Sequence, residues 1–295
     1  MKYKPISIIY LVLFLICLLA GIYLYEGWVQ LFIDFRAPVL ILPAFILMLL
    51  FSAGTKTTAL AYFDAFTSDG LDERVDRYTK GLGLITRAGR LLFMWGGIGA
   101  LAGIFILTSN LNETAFVGTS IYFALSCVWM VLICRAIFVH PAAAALEYKI
   151  IEIEHTAKAD PVHFDRDKFS PWAYLLLLLV LPIIGICLFL IIGADVSIFL
   201  SPEAFAIVPL ATLFICAAGV GFKKIFGAFR TAASKEPRTE SDIRQAAGIL
   251  RRIGLVSIEM GVTGMVIKLI IMLTVLDEPA AIFGQFIMGL VPLLY

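Results

Sequence analysis

Long apolar runs alternate with polar connections along this chain, and most of the runs are close to the length of a membrane-crossing helix. A hydrocarbon core about 30 Å thick is spanned by about 20 mostly apolar residues in helical form. The pattern predicts eight such helices: Pro5–Tyr25, Ala37–Gly54, Leu91–Leu111, Val117–Phe138, Trp172–Ile192, Ala204–Phe222, Ile253–Leu276 and Ala280–Tyr295. Inside lipid every backbone N–H and C=O must find a partner within the protein, which helices achieve locally. The expected fold class is therefore an all-α membrane protein, with membrane lipid as its surroundings.

Composition sharpens this. Hydrophobic residues make up 61% of the chain and charged residues 15%, and the mean hydropathy is +0.97, values that an ordinary soluble domain does not reach. The first run follows Lys2 and Lys4, as a signal peptide would, but Tyr23, Tyr25, Glu26 and Trp28 stand where small cleavage-site residues belong, so a retained helix is expected. Lys and Arg gather at the N-terminus and in the three longer connections, whereas the short connections carry only Arg36. Positive residues mark the cytoplasmic side, which predicts cytoplasmic N- and C-termini and, with the composition, a multi-pass protein of the cell inner membrane. A net charge of +1 leaves no basic surplus for a nucleic-acid partner. Cys17, Cys127, Cys134, Cys187 and Cys216 all lie in apolar runs without a CxxC pair and read as small packing residues.

The chain also echoes itself. LTSNLNETAFVG (107–118) returns as LTVLDEPAAIFG (273–284), Pro43 as Pro209, Phe63-Asp64-Ala65-Phe66 as Phe226-Gly227-Ala228-Phe229, and Gly99 as Gly264. An offset held near 165 residues across these landmarks indicates an internal repeat. Four helices per copy give both copies one orientation in the membrane, so the expectation is two parallel four-helix repeats: residues 1–148, a polar cytoplasmic linker at 149–170, and residues 171–295. The third helix of each copy carries small residues, Gly96, Gly97, Gly99, Ala102 and Gly103 in the first, Gly261 and Gly264 in the second. Small residues let backbones approach where lipid offers no hydrophobic gain, so these helices are expected to form the tight inner seam.

The segment GVTGMVIKLIIMLTVLDEPAAIFGQFIMGLVPLLY (261–295) resembles the third and fourth helices of the proton-channel family of MotA, TolQ and ExbB, whose members include the flagellar stator A subunit. Met272, Leu273, Asp277, Glu278, Pro279, Gly284, Leu294 and Tyr295 stand at the family's Met-Leu pair, acidic-Pro turn, glycine and closing Leu-Tyr. FIDFRAPVLIL (32–42) resembles its outer loop and second helix, and HPAAAALE (140–147) its exit from the fourth helix. The resemblance implies an A-type subunit of an ion-driven motor or energy-transducing complex, in which the ion-carrying aspartate comes from a single-pass partner and the A subunits form a homo-oligomer around it. The sequence also departs from the family. Ala100 and Met265 replace a threonine of the ion path, a hydroxyl position in the fourth helix is kept as Ser126 but falls near Pro292 in the second copy, and the cytoplasmic extension is short.

Ionisable groups at membrane depth mark ion paths and binding sites, and this chain has few. Asp34, Glu113, Asp195, Glu203, Asp277 and Glu278 flank outer turns, Glu113, Asp277, Glu278 and Pro279 forming the outer-turn candidates, and Glu259 is near the inner end of its helix. Lys268 reads as the one deep cation. Gly261, Gly264 and Met265 stand seven, four and three residues before it, on its own face of the helix, which directs it into the seam. Glu259 is nine residues away on the opposite face, so Lys268 is expected to pair with a carboxylate or carbonyls of another helix or chain, since an unpaired buried charge costs several kcal/mol. The resemblance puts a glycine at its place, implying that the second copy is non-conducting. The ion-path and seam candidates are Lys268, Gly264, Gly261, Met265, Ser126, Gly99, Gly103, Pro292 and Tyr295. His155 and His163 lie among linker acids without a metal-site spacing, and no nucleophile arrangement or phosphate loop is present, so neither enzyme, cofactor nor metal is expected. Two other readings stay open: a small-molecule transporter with its site between the repeats, kept alive by Pro43, Pro182, Pro209 and Pro292, and a non-conducting membrane scaffold.

Overall fold

A computed structural model describes residues 5–24, 32, 36–67, 75–109, 114–157, 202–233, 240–273 and 292. Its elements are α1 (Pro5–Leu24), α2 (Arg36–Ala53), α3 (Thr55–Phe66), α4 (Val75–Ser109), α5 (Thr114–Cys134), a π turn (Arg135–Val139) leading into α6 (His140–Ala157), α7 (Pro202–Val220), α8 (Phe222–Ala233) and α9 (Glu240–Met272). Among the described residues five stretches are long and apolar enough to cross a membrane: Ser7–Leu24, Val75–Leu107, Val117–Ile153, Pro202–Val220 and Asp242–Met272. The described chain is helical and built of such stretches, which marks a membrane protein. Six predicted runs fall on α1, α2, α4, α5, α7 and α9; Trp172–Ile192 and, apart from Pro292, Ala280–Tyr295 lie outside the described residues, as do Asp277, Glu278, Pro279, Glu113 and Tyr295.

Two differences from the hydropathy pattern have a plain cause. Helices α4 and α9 begin at Val75 and Glu240, well before Leu91 and Ile253, because hydropathy marks only the part of a helix that suits lipid. Their polar first turns continue the same hydrogen-bond ladder. Stretches read as connections also hold two 12-residue helices, α3 and α8. Each follows a glycine with positive φ, Gly54 (77°) and Gly221 (87°), a conformation that costs other residues a Cβ clash. These glycines end α2 and α7 and redirect the chain.

The described helices bury two apolar clusters. One joins α2, α3, α4, α5 and α6 around Ile41, Ile85, Leu92, Cys127 and Leu146. The other joins α1, α7, α8 and α9 with the inner side of α5 around Phe14, Trp129, Ile207, Ile215 and Met260. The chain's first helix thus packs on α7, far along the sequence, and α5 and α6 stand between the clusters. At Gly21 an added Cβ would lie 2.4 Å from Ile207 Cγ1, and at Gly219 it would lie 2.7 Å from the Pro141 carbonyl. The α1–α7 and α6–α7 contacts therefore require glycine.

Pro209 and Pro141 mark irregular helix. A proline cannot donate to the ladder and crowds the carbonyl four residues back. Pro209 lies inside a π turn (Ala206–Leu210), and Pro141 directly follows another (Arg135–Val139), where the ladder is already widened.

Candidate functional site

In α4 the small residues make a close approach, but to α5 and not to α9, so it is no inner seam, and they do so selectively. An added Cβ at Gly96 would lie 2.4 Å from Val131, at Gly99 2.6 Å from Cys127 Sγ, and at Gly103 2.8 Å from Ala124 Cβ and 2.9 Å from the Ser120 carbonyl. Spacings of three and four residues put these on one face, against α5. Gly97 lies off that face, is exposed and has nothing within 4 Å of an added Cβ, so it is not part of the seam. In α9, Gly264 approaches Pro292, whose Cβ would be 2.6 Å away, while Gly261 is buried and Met265 partly so. Ser126 is 3% exposed, and its hydroxyl has no hydrogen-bond partner among the described residues. Lys268 is 8% exposed, hence turned away from the lipid-facing surface, and it is engaged by neighbouring groups.

Between the two clusters the structure assembles a charged group that the pattern of runs did not reveal. Arg135 donates to both carboxylate oxygens of Glu259, from Nη2 at 2.6 Å and from Nε at 3.2 Å. His140 Nε2 donates to the same carboxylate at 2.6 Å. Arg135 also donates from Nη1 to the Gly89 carbonyl at 2.8 Å and stacks over the Phe93 ring, 4.1 Å from its centroid. The Arg135 and Glu259 side chains are only 14% and 15% exposed and that of His140 4%, so the group is largely out of water.

The π turn makes this possible. In an α-helix residues five apart point about 140° away from each other, and Arg135 and His140 could not both face one carboxylate. The i→i+5 ladder over Arg135–Val139 brings residues five apart to nearly one face. Glu259, on α9, is then gripped from two sides by the α5–α6 element, and Arg135 reaches on to α4. Thr263 returns its hydroxyl to the Glu259 carbonyl at 2.7 Å, which keeps that side chain from competing for the carboxylate.

Arg135 is thus a further largely buried cation of the apolar runs, beside Lys268. Arg135 lies inside the fourth predicted run and Glu259 inside the seventh, each a few residues from the polar connection at that end of its run. Opposite charges at like depth in two apolar runs were the signal available, and it went unread because the partners are 124 residues apart. The same region holds a second cross-link, Glu147 of α6 with Arg252 of α9. Elsewhere Asp64 of α3 accepts from Arg77 Nη2 of α4 at 2.7 Å, and Lys149 of α6 donates to the Asp64 carbonyl and, at 2.6 Å, to that of Thr67, satisfying the open end of α3.

Comparisons with protein-family models, curated proteins and solved structures find nothing that matches this chain.

Proposed function

We propose that the chain is a divergent A-type subunit of an ion-driven motor or energy-transducing complex of the cell inner membrane, built as two parallel four-helix repeats with cytoplasmic termini. It packs, as a homo-oligomer, around a single-pass partner that supplies the ion-carrying carboxylate. The observation that carries this reading is the state of Glu259. A carrier must load and release its ion, and this carboxylate, inside an apolar helix, is held by a two-pronged arginine and a histidine. An ion path along this protein then needs an acid from another chain.

The repeat is supported by details beyond the sequence echo. Gly99 closes on Cys127 and Leu40, and Gly264 on Pro292 and Ile207, the second set lying 165–167 positions after the first. Gly54 and Gly221 share one unusual conformation, each before a helix of 12 residues. In that register Phe63–Phe66 and Phe226–Phe229 are a turn out of step, so this one echo does not belong to the repeat.

The closed α4–α5 seam favours a second reading, a scaffold that binds other membrane proteins without conduction, since backbone atoms of Ser120 and Ala124 fill the space beside Gly103. Proton flux into vesicles reconstituted with the complex as extracted from its own membrane separates the two. The motor reading predicts flux that disappears when the single-pass component is stripped away; a co-purifying helix with no flux under any condition leaves the scaffold.

A further inference from the structure

Helix α8 has a surface that neither repeat packing nor the charged group uses. Its sequence, FKKIFGAFRTAA, contains three basic residues and no acidic one. Ile225 and Ala228 are buried, 1% and 4% exposed, on the side where α8 packs along α9. Phe226 and Phe229 are 67% and 48% exposed. At about 100° per residue they share a face with Phe222, and Lys223 and Arg230, seven residues apart, lie together along one edge of that face. Both cations are exposed. Lys224 points elsewhere, with its ammonium 3.3 Å from the centre of the Tyr148 ring.

The position of this face decides what covers it. Phe222 meets the ring of Tyr10 edge-on at 5.0 Å. Tyr10 lies five residues inside α1, so α8 begins about 7 Å from the end of a membrane-length apolar helix. It also begins one residue after α7, itself long and apolar enough to cross, ends at Val220. Phe226 and Phe229 follow Phe222 by one and two turns, about 6 and 10 Å at most. They therefore fall at the level where acyl chains give way to headgroups. Aromatic rings bordered by Lys and Arg are the composition of a helix lying in that layer.

We infer that α8 is an interfacial helix that binds anionic phospholipid, its Phe226–Phe229 face in the upper acyl region and Lys223 and Arg230 on the headgroup phosphates. The corresponding helix α3 lacks the arrangement: counted from Gly54 and Gly221, Lys56 stands at the place of Lys223 but Phe63 at that of Arg230, and its Asp64 is turned inward to Arg77. Anionic-lipid binding thus belongs to one half of the chain, independently of any ion conduction.

The test uses the full chain with Phe226→Trp, reconstituted in phosphatidylcholine vesicles that contain a minority of phosphatidylglycerol, with bromine on the acyl chains of one lipid at a time. The signal of the parent chain, from its other tryptophans, is subtracted. Residue 226 should be quenched by both lipids, and more strongly by brominated phosphatidylglycerol than its share of the lipid predicts. Lys223→Gln with Arg230→Gln should remove that preference, about fivefold for each cation neutralised, whereas Lys223→Arg with Arg230→Lys should keep it. Absence of quenching by either lipid overturns the inference and points to a protein on this face. Quenching without preference in the parent-charge chain overturns the anionic selectivity.

Discussion

Helices α4 and α9 hold corresponding places in the proposed repeat, yet they live in different surroundings. In its membrane-length stretch α4 has 22% of its residues buried and α9 has 56%. One face of α4 closes on α5 through Gly96, Gly99 and Gly103, and the other shows Phe93, Met94, Ile98, Leu101 and Phe105 to the outside. Helix α9 is enclosed by α5, α6, α7 and α8 and carries Glu259 and Lys268. Along its apolar run the peripheral helix is held by close approach, its contacts at Arg77 and Gly89 coming before that run, whereas a central helix can hold charges because its neighbours supply partners. The peripheral α4 is the one that can meet lipid or a further subunit, and the central α9 is the one that joins α5 and α6 to α7 and α8.

The comparison can be broken most severely at Glu259. Replacing it by alanine leaves Arg135 and His140 without their acceptor in a largely dry site, and such a loss costs about 3–5 kcal/mol. Thermal unfolding in detergent should show it, and adding Arg135→Met should restore part of the stability. If Glu259→Ala unfolds like the parent, the clasp between α9 and the α5–α6 element contributes nothing. At the peripheral seam, Gly103→Val presses on backbone atoms that cannot turn aside, for a cost of about 1–3 kcal/mol. Gly97→Ala, on the open side of the same helix, should stay within about 0.5 kcal/mol. Equal effects at the two glycines would deny the seam.

Lys268 sharpens the contrast from the central side, since its counterpart in the proposed repeat is Gly103. Lys268→Met removes a buried charge with its contacts, and under the proposed function the yield of intact complex with the partner should fall severalfold. Unchanged assembly and unchanged flux would reduce Lys268 to a structural residue. A small effect is also expected at Asp64→Asn, because Asp64 is 6% exposed but its partner Arg77 is 39% exposed and can turn to water, so the pair contributes about 1 kcal/mol or less; chemical denaturation curves of the two chains should nearly coincide.

What could be read from the sequence follows the same division. Apolar runs announced α1, α2, α4, α5, α7 and α9, since length in lipid is a constraint on composition. Glycine spacing announced the α4 seam, except that Gly97 falls off the face that Gly96, Gly99 and Gly103 share. Helices α3 and α8 were hidden in connections, because hydropathy is silent on short helices that lie outside the apolar runs. The Arg135–His140–Glu259 group was hidden for another reason: it depends on a π turn that changes which residues share a face, and on two helices distant in the chain. Lys268 stood out in the sequence by its glycine neighbours, while Arg135, at the end of an unremarkable apolar run, did not.

The most direct test of the proposed function is a cryo-EM structure of the complex extracted gently from its own membrane. The account predicts copies of this chain arranged around one or two single-pass helices bearing a membrane carboxylate, with Glu259 still held by Arg135 and His140. A lone chain or a simple dimer enclosing a small-molecule cavity would contradict it.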